Sequence, residues 1–427
     1  MQRVSSDMMN NDMQFWLRRT ESNTQAMENR MATQNRLQNL RDDPLGAARA
    51  VRYDSEVSRL ERYEKNALYA ADNYKVSENY VRQALDVTQR LREIAVQGAN
   101  GIYTKDDQKY MAAEVDELIG ELVSMANSRG ADGSYIFAGG KSATEPFRAV
   151  MGNAPNAGKA VITAVQYLGD RGGPAVQVAQ DAEIPIAQPG SDIFWAENQV
   201  AISDFDARDW RATGDSAIAV DGIRVDIKAG DTVYAVAAKI NDSGAAVKAT
   251  IDPRSFALTL QTTTPHQIRI EEIGQPAGAA GGTAGDGRRG PLQELGMLAP
   301  SGLVPDNFAP SARVSGGSLF DVAMRLRDSL NRGDVLETGG LALEGLDAGI
   351  DNLNRRVAEL GSRSERLAAI KARLDREIPD TTTMLAREKD LDITQAVTDY
   401  RMLDYAHKAA LGFSGRALPP TLLDFLR

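Results

Sequence analysis

The sequence predicts an α+β protein in which a long antiparallel α-helical coiled coil or bundle, built from both termini, carries a β-rich insertion domain at its tip. Helix-forming residues dominate 1–130 and 318–427, whereas most of the Gly and Pro lie at about 135–317. The second helical part contains a heptad repeat of apolar residues. The middle part alternates apolar and polar residues, as half-buried strands do.

A proline divides the first helical part. The residue before Pro44 is pushed out of the helical region, so the first helix must end near it. Asp42 or Asp43 can cap the next helix, and Pro44 suits its first position. We expect Pro379 to break the C-terminal helix in the same way, so that the two breaks separate the terminal helices from the rest of the chain.

The second and third helices have recognisable ends. The second runs from about 45 to 99 and stops at Asn100-Gly101, a pair typical of helix C-termini. Thr104 opens the third helix, with Asp107 at the spacing of a capping box.

The strongest periodicity lies in the C-terminal helical part. Its apolar residues alternate spacings of three and four, with one polar member: Leu343, Leu346, Ile350, Leu353, Val357, Leu360, Ser364 and Leu367. A seam of this kind needs a partner helix. The apolar series from Val57 to Leu91 in the second helix supplies one, so we expect the two long helices to pack side by side with the chain ends together.

The middle of the chain reads as strands and loop. A turn at Asp221-Gly222, a short helix from Val233 to Ile240 and two further strands predict a β-β-α-β-β unit at about 215–272. Residues 274–317 are rich in Gly and Pro, which predicts a long surface loop. The predicted domains are therefore 1–43 with 380–427, 44–140 with 318–379, and 141–317.

Composition excludes several classes of function. The 427 residues contain no cysteine, which rules out disulfides, thiolate nucleophiles and cysteine-bound zinc. A net charge of −10 disfavours binding to nucleic acid, and no apolar stretch is long enough to span a membrane. His266 and His407 lie in no nucleophile motif. We expect no catalytic site, no cofactor, no metal, and no nucleic-acid or membrane partner.

Several motifs, in the right order, resemble the flagellin superfamily. Residues 90–104 read RLREIAVQGANGIYT, and the likeness continues to Asn127. Residues 3–5 and 41–50 resemble the N-terminal pattern of the family, and 215–272 resembles the small repeat inserted in many of its members. The chain departs from the pattern near 33–40, where TQNRLQ replaces the usual Ser-Gly turn.

Two regions distinguish between branches of the family. Residues 133–140, GSYIFAGG, resemble a hairpin of the hook-associated branch that joins the hook to the filament. The segments DLDITQAV at 390–397 and LPPTLLDFL at 418–426 resemble the same branch. Flagellin, the bulk filament subunit, is the alternative. A soluble enzyme with a β-rich domain on a helical stalk is a third interpretation, but the sequence offers no catalytic residues for it.

The resemblance implies self-assembly into a tube. The terminal helices would form the inner wall, the long helices the next layer, and the middle domain would face outward. The expected partners are further copies in a homo-oligomeric ring, a hook-associated protein on the hook side, flagellin on the filament side, and an export chaperone at the C-terminal region. The first residues lack the apolar core of a secretory signal. Export would use the flagellar type III apparatus, to an external or a periplasmic flagellum.

The expected assembly contacts come from four places. The first and last helices contribute Val4, Met8, Met13, Leu17, Met27, Met31, Ile393, Val397 and Leu403, the flagellin-like motif contributes Arg90, Arg92 and Glu93, and the apolar tail contributes Leu422, Leu423, Phe425 and Leu426. Thr20, Thr24 and Gln34 interrupt the apolar side of the first helix. Because so poor a face would not fold well alone, we expect it to order on contact with neighbouring subunits.

Limited proteolysis of the purified monomer checks this expectation. The two ends should be cleaved well before the centre, because their ordering depends on neighbours. Ends that resist protease as well as the centre does would contradict coupled folding and assembly.

Overall fold

The computed structural model describes residues 6–39, 41, 43–130, 132–153, 160–273, 290–300 and 307–417, and in the terminal helices the side chains of 11–33 and 393–413. The chain divides into two compact units, Met1–Lys65 with Ile370–Arg427, and Asn66–Ala369. These units do not follow the three domains predicted above, whose boundaries stay a prediction.

Most of the described chain is helical. Its α-helices are α1 (Ser6–Thr33), α2 (Pro44–Ala99), α3 (Lys105–Ala126), α4 (Gly190–Ile193), α5 (Val233–Asp242), α6 (Pro291–Glu294), α7 (Leu319–Arg332), α8 (Val335–Glu337), α9 (Leu343–Lys389) and α10 (Ile393–Ala417). One π-helical turn, Thr338–Ala342, leads into α9. The predicted capping box at Thr104 is present at the start of α3, and α2 begins at Pro44 and ends just before Asn100 as predicted.

The predicted heptad seam is confirmed in the unit of residues 66–369. Leu346, Leu353, Leu360 and Leu367 of α9 are at most 2% exposed. Tyr74, Val81 and Leu91 of α2 are fully buried. An ion pair between Arg92 and Asp347 and a contact of Arg363 with the Tyr74 ring show that the two helices run antiparallel. The other unit continues the pattern, with Leu60, Tyr63 and Leu374 in one buried cluster.

The predicted break at Pro379 is wrong. Helix α9 continues through Pro379 to Lys389. An interior proline costs roughly 3 kcal/mol, but Leu374 and Ile378 pack with Leu60 and Tyr63 on the N-terminal side of the proline and offset that cost. The chain leaves the helix only at Asp390, which forms an antiparallel bridge with Asn35.

The β-rich region consists of small antiparallel sheets. The strands are β1 (Phe147–Asn153), β2 (Ala160–Tyr167), β3 (Ala175–Ala179), β4 (Ala182–Pro185), β5 (Val200–Ile202), β6 (Ser216–Val220), β7 (Ile223–Ile227), β8 (Val247–Ile251), β9 (Leu258–Thr262), β10 (Ile270–Ile273) and β11 (Arg313–Ser315). They pair as β1-β2, β3-β4, β10-β6-β7 and β11-β5-β9-β8. The predicted order of strand, strand, helix, strand, strand is present as β6, β7, α5, β8 and β9.

The turn between β6 and β7 is a two-residue hairpin. Asp221 and Gly222 have φ angles of 52° and 83°, the left-handed conformations that such a turn requires. Ile218, Val225 and Val236 lie with Leu260 in the buried core that the two larger sheets share with α5.

The prediction of a surface loop at 274–317 is wrong for residues 290–298. Leu292, Leu295 and Met297 are fully buried in the core beneath the sheets. Glu272 fixes the start of α6, because its Oε1 accepts hydrogen bonds from the backbone N–H groups of Leu292 and Gln293 at 2.9 and 3.1 Å. The Gly and Pro residues around this segment obscured its apolar spacing.

An aromatic cluster joins the sheets to the helices of the same unit. Phe147 lies 5.0–5.4 Å, between ring centroids, from Tyr167, Phe194 and Phe320. Phe137, from the segment that resembles a hairpin, packs edge-on against Phe194 at 5.3 Å. In the structure this segment makes tight turns and single bridges instead of a regular hairpin. Its main physical role here is to place Phe137 in the core.

Phe137→Ala should therefore lower the free energy of unfolding of this unit by about 3–5 kcal/mol, since it leaves a cavity in a packed aromatic core. Urea unfolding followed by tryptophan fluorescence measures the change. Tyr234→Ala, on the exposed side of α5, is the matched control and should change stability little. Equal losses in the two variants would contradict this account of the core.

Candidate assembly surface

Helices α1 and α10 form an antiparallel pair. Tyr400 donates a hydrogen bond to Glu28 at 3.0 Å, and Thr20 Oγ1 lies 3.4 Å from His407 Nδ1. A later position in α1 therefore lies beside an earlier position in α10, as in any antiparallel pair. The pair brings together the two ends of the chain, as the sequence predicted.

The seam between α1 and α10 contains six of the nine contact residues that were predicted in the terminal helices. Its half-buried and buried members are Met13, Leu17, Thr20, Thr24, Met27 and Met31 of α1, and Ala396, Val397, Tyr400, Leu403, His407 and Ala410 of α10. Six predicted contact residues therefore pack within their own chain: Met13, Leu17, Met27, Met31, Val397 and Leu403.

Threonines lie inside the seam instead of interrupting it. The Thr20 hydroxyl donates to the carbonyl of Leu17 at 2.9 Å, and the Thr24 hydroxyl donates to the carbonyl of Thr20 at 2.9 Å. Their polar atoms are satisfied within α1. The small side chains leave room for α10 to approach, but they bury little apolar surface, so the seam is weak.

A second set of apolar residues in the two helices is largely exposed. Phe15 and Trp16 of α1 are 60% and 57% exposed, and Met402, Tyr405 and Phe413 of α10 are 68%, 79% and 69% exposed. Residues 402, 405 and 413 repeat at helical spacing on the face of α10 that is opposite the seam. Ile393, also predicted as a contact, is 47% exposed.

These outward residues are grouped along the pair. Since Thr20 lies opposite His407, Phe15 and Trp16 of α1 lie level with Leu411 and Phe413 of α10. A helix that is apolar on two faces is typical of a buried helix. Grouped exposed apolar side chains are typical of interaction surfaces. The sequence analysis missed Phe15, Trp16, Met402 and Tyr405. The sequence could have indicated them, because they are large apolar residues next to seam positions in the chain.

The two turns at the base of the pair are bonded to each other. The Arg36 N–H donates to the carbonyl of Lys389 at 2.8 Å, and the Leu391 N–H donates to the carbonyl of Gln34 at 2.9 Å. The Arg36 guanidinium donates to the carbonyl of Glu388 at 2.9 Å and lies 3.2 Å from Asp43. The departure from the family pattern near 33–40 thus supplies the residue that connects both turns.

Asp43 caps α2 as predicted. Its Oδ1 accepts a hydrogen bond from the backbone N–H of Gly46 at 2.9 Å. This bond, with a smaller effect of Arg36, holds the pKa of the Asp43 carboxyl below its usual value despite some desolvation. The capping contribution is therefore present above the ordinary pKa of aspartate and is lost as the pH falls through the lowered one.

The flagellin-like motif makes ion pairs within the chain. Arg90 of α2 lies 2.6 Å from Glu114 of α3 and 2.9 Å from Glu93. Arg92 lies 2.5 Å from Asp347 of α9. The three predicted contact residues remain exposed, so a role between subunits stays a prediction for them.

Some predicted residues cannot be located. Val4, Asp42, Leu422, Leu423, Phe425 and Leu426 lie outside the described residues, as does the side chain of Met8.

In the described part of the chain, no three His, Asp or Glu side chains are grouped to hold a metal ion. Within the same residues, no helix has the length and apolar character needed to cross a membrane.

Comparison with known proteins relates two regions of the chain to one family. Residues 4–142 match the bacterial flagellin N-terminal helical region, and residues 212–264 match the flagellin hook IN motif. Flagellin FlaB1 of Treponema pallidum (strain Nichols) is 32% identical over 112 residues, 26% of this chain and 39% of its own length. Flagellar hook-associated protein 3 of Escherichia coli (strain K12) is 27% identical over 221 residues, 51% of this chain and 66% of its own.

A solved structure is also similar. The crystal structure of flagellar hook associated protein-3 from Legionella pneumophila covers 78% of this chain and 97% of that one, with a TM-score of 0.46 and 15% identity. The chain spans less than two thirds of the length of both sequence relatives named above.

Leu17→Ser and Phe15→Ser separate the seam from the outward face. Leu17→Ser should speed amide exchange in α1 and α10 about fivefold, because it removes about 1 kcal/mol of half-buried apolar contact. Phe15→Ser, close by on the exposed side, should leave exchange unchanged in the monomer. Hydrogen exchange with mass spectrometry gives the rates, and equal effects would contradict the assignment of the two faces.

Proposed function

We propose that this chain, a member of the flagellin superfamily, is a structural subunit of the bacterial flagellum and forms the junction between hook and filament. The observation that carries the proposal is the pair of α1 and α10. Its seam joins the two terminal helices weakly, and its outward apolar residues remain more than half exposed. Such a surface suits a protein that completes its fold in an assembly.

The extent of similarity favours the junction protein over flagellin. The likeness to hook-associated protein 3 extends over 51% of the chain, against 26% for flagellin FlaB1. The segments at 133–140 and 390–397 add support from sequence. Flagellin remains the second candidate because identity to FlaB1, at 32%, is higher over its shorter span.

The proposed mechanism is coupled folding and assembly. Outward residues such as Trp16 and Phe413 of one copy pack against the terminal helices of the next, and each contributes about 1.5–3 kcal/mol when fully buried. Head-to-tail contacts between identical copies close into a ring when the rotation between them closes. Arg90, Arg92 and Glu93 are proposed as further contacts between subunits.

The proposed partners follow from this role. They are a hook-associated protein on the hook side, flagellin on the filament side, and an export chaperone at the C-terminal region. We place the protein in the flagellum, external or periplasmic, after export through the flagellar type III apparatus. The role is mechanical and not catalytic: the subunit connects a flexible hook to a stiffer filament.

Immunogold labelling of isolated flagella with antibody to residues 160–273 tests the proposal. A narrow band of label between hook and filament is the expected result. Label along the whole filament would identify a flagellin, and unlabelled flagella would overturn the axial role altogether.

The double variant Trp16→Ser, Phe413→Ser tests the outward face. It should fold as a monomer like the wild type, because both side chains are exposed there, yet fail to appear at the junction. Tyr234→Ser, exposed in the β-rich region, is the control and should still assemble. Normal assembly of the double variant would show that this face is not the contact.

A further inference from the structure

A buried ion cluster lies where the β6–β7 turn meets the chain that precedes α4. His266 is fully buried, and its Nε2 lies 2.8 Å from Asp221 Oδ2. Arg171 Nη1 lies 2.8 Å from the same oxygen, and Arg171 Nε lies 3.0 Å from Asp192 Oδ1. The four residues come from four parts of the chain: Asp221 from the hairpin turn, His266 from the segment between β9 and β10, Arg171 from the segment between β2 and β3, and Asp192 from α4.

The hydrogen bonds of His266 define its protonation state. Its Nδ1 lies 2.7 Å from the carbonyl oxygen of Thr264, which can only accept, so Nδ1 must carry a proton. The Thr264 hydroxyl, at 3.4 Å, is too distant to reverse this assignment. Nε2 faces the Asp221 carboxylate, which also only accepts when ionised. A ring with both nitrogens donating is an imidazolium.

Asp221 is ionised in this arrangement. Burial alone would raise the pKa of its carboxyl, but the hydrogen bond from His266 and the charge of Arg171 outweigh burial and hold the pKa below the usual value. Its other oxygen, Oδ1, accepts the backbone N–H of Arg269 at 3.1 Å. The carboxylate therefore has partners on both oxygens.

The charges in the cluster balance only when His266 is protonated. Arg171 and the imidazolium then face Asp221 and Asp192, two positive against two negative. The nearby Arg269 is 2.9 Å from Glu271 and so is already paired. Loss of a ring proton would leave the buried cluster with a net negative charge. It would also leave the lone pair of one ring nitrogen facing an acceptor oxygen of Asp221 or Thr264. Both changes destabilise a buried site.

The cluster also connects the turn to the helical bundle of the same unit. The Asp192 carbonyl accepts hydrogen bonds from Asn352 and Arg356 of α9 at 3.1 and 3.0 Å. The backbone N–H of Asp221 donates to the Arg269 carbonyl at 2.7 Å. A path of charged and hydrogen-bonded groups thus extends from α9 through Arg171 to the β6–β7 turn.

We propose that His266 is a pH-sensitive latch: its imidazolium holds the β6–β7 turn against the segment before α4, and loss of that proton releases the turn. The latch is therefore closed while the ring carries both protons, as its contacts with Thr264 and Asp221 require, and it opens when a rising pH removes one of them. Strong acid opens it too, since the contribution of Asp221 is lost as the pH falls through its lowered pKa.

The chain is well suited to a direct test, because His266 and His407 are its only histidines. Ring nitrogens of ¹⁵N-histidine-labelled protein report the protonation of His266 by NMR, with His407→Gln to assign the signals. Hydrogen exchange with mass spectrometry, corrected for the intrinsic effect of pH, reports opening in the peptide of residues 216–227 and in Arg269.

We expect exchange in the turn to rise about tenfold or more over the pH range in which His266 loses its proton, since a hydrogen bond to a charged group is lost there. Exchange in α3 and α7 should stay constant. His266→Gln and Asp221→Asn should exchange rapidly at every pH, whereas His407→Gln should behave as the wild type.

Two results would overturn the latch. One is a His266 ring that is neutral at every pH at which the protein is folded. The other is a ring that titrates while exchange in the turn does not change. Neither depends on the variants, so the wild-type titration decides the matter even if His266→Gln fails to fold.

Discussion

Leucines repeated at every seventh position of α9 are buried against α2, and this contact constrains most of the remaining architecture. Leu346, Leu353 and Leu360 occupy one stripe, which needs a partner helix. The contacts of α9 with Arg92 and Tyr74 show that this partner, α2, runs antiparallel to it. The chain ends are then brought together as α1 and α10. Every element between α2 and α9 must form as an insertion between two paired helices.

The terminal pair combines a weakly packed seam with exposed apolar side chains. Thr20 and Thr24 satisfy their own hydroxyl groups and bury little apolar area, whereas Phe15, Trp16 and Tyr405 remain largely exposed. A stronger seam would make the ends stable alone, and a covered outer face would leave nothing for a neighbour to bind. Under the proposed function, part of the folding free energy would be gained only on assembly with neighbouring subunits.

The two parts of the larger unit are held by different forces. Aromatic side chains around Phe147 and the leucines of α9 give non-directional apolar burial. The contact of the β6–β7 turn depends instead on Asp221, Arg171 and His266, whose charges must match in number and position. Such a contact contributes specificity more than stability. It also responds to pH, which an apolar contact does not.

The sequence by itself determined the features that depend on near neighbours in the chain: the start of α2 at Asp43-Pro44, the capping box at Thr104, the heptad seam and the turn at Asp221-Gly222. The tertiary structure decided where distant contacts outweigh local preference. Packing of Ile378 stabilises α9 across Pro379. Glu272 accepts a hydrogen bond from the backbone of Leu292 and so fixes the buried segment. Contact with α10 determines which residues of α1 are buried and which are exposed. Local propensities amount to at most about 1 kcal/mol per residue, apart from proline. Burial of one large apolar side chain contributes about 1.5–3 kcal/mol, and the side chains that bury it are separated from it by up to hundreds of residues.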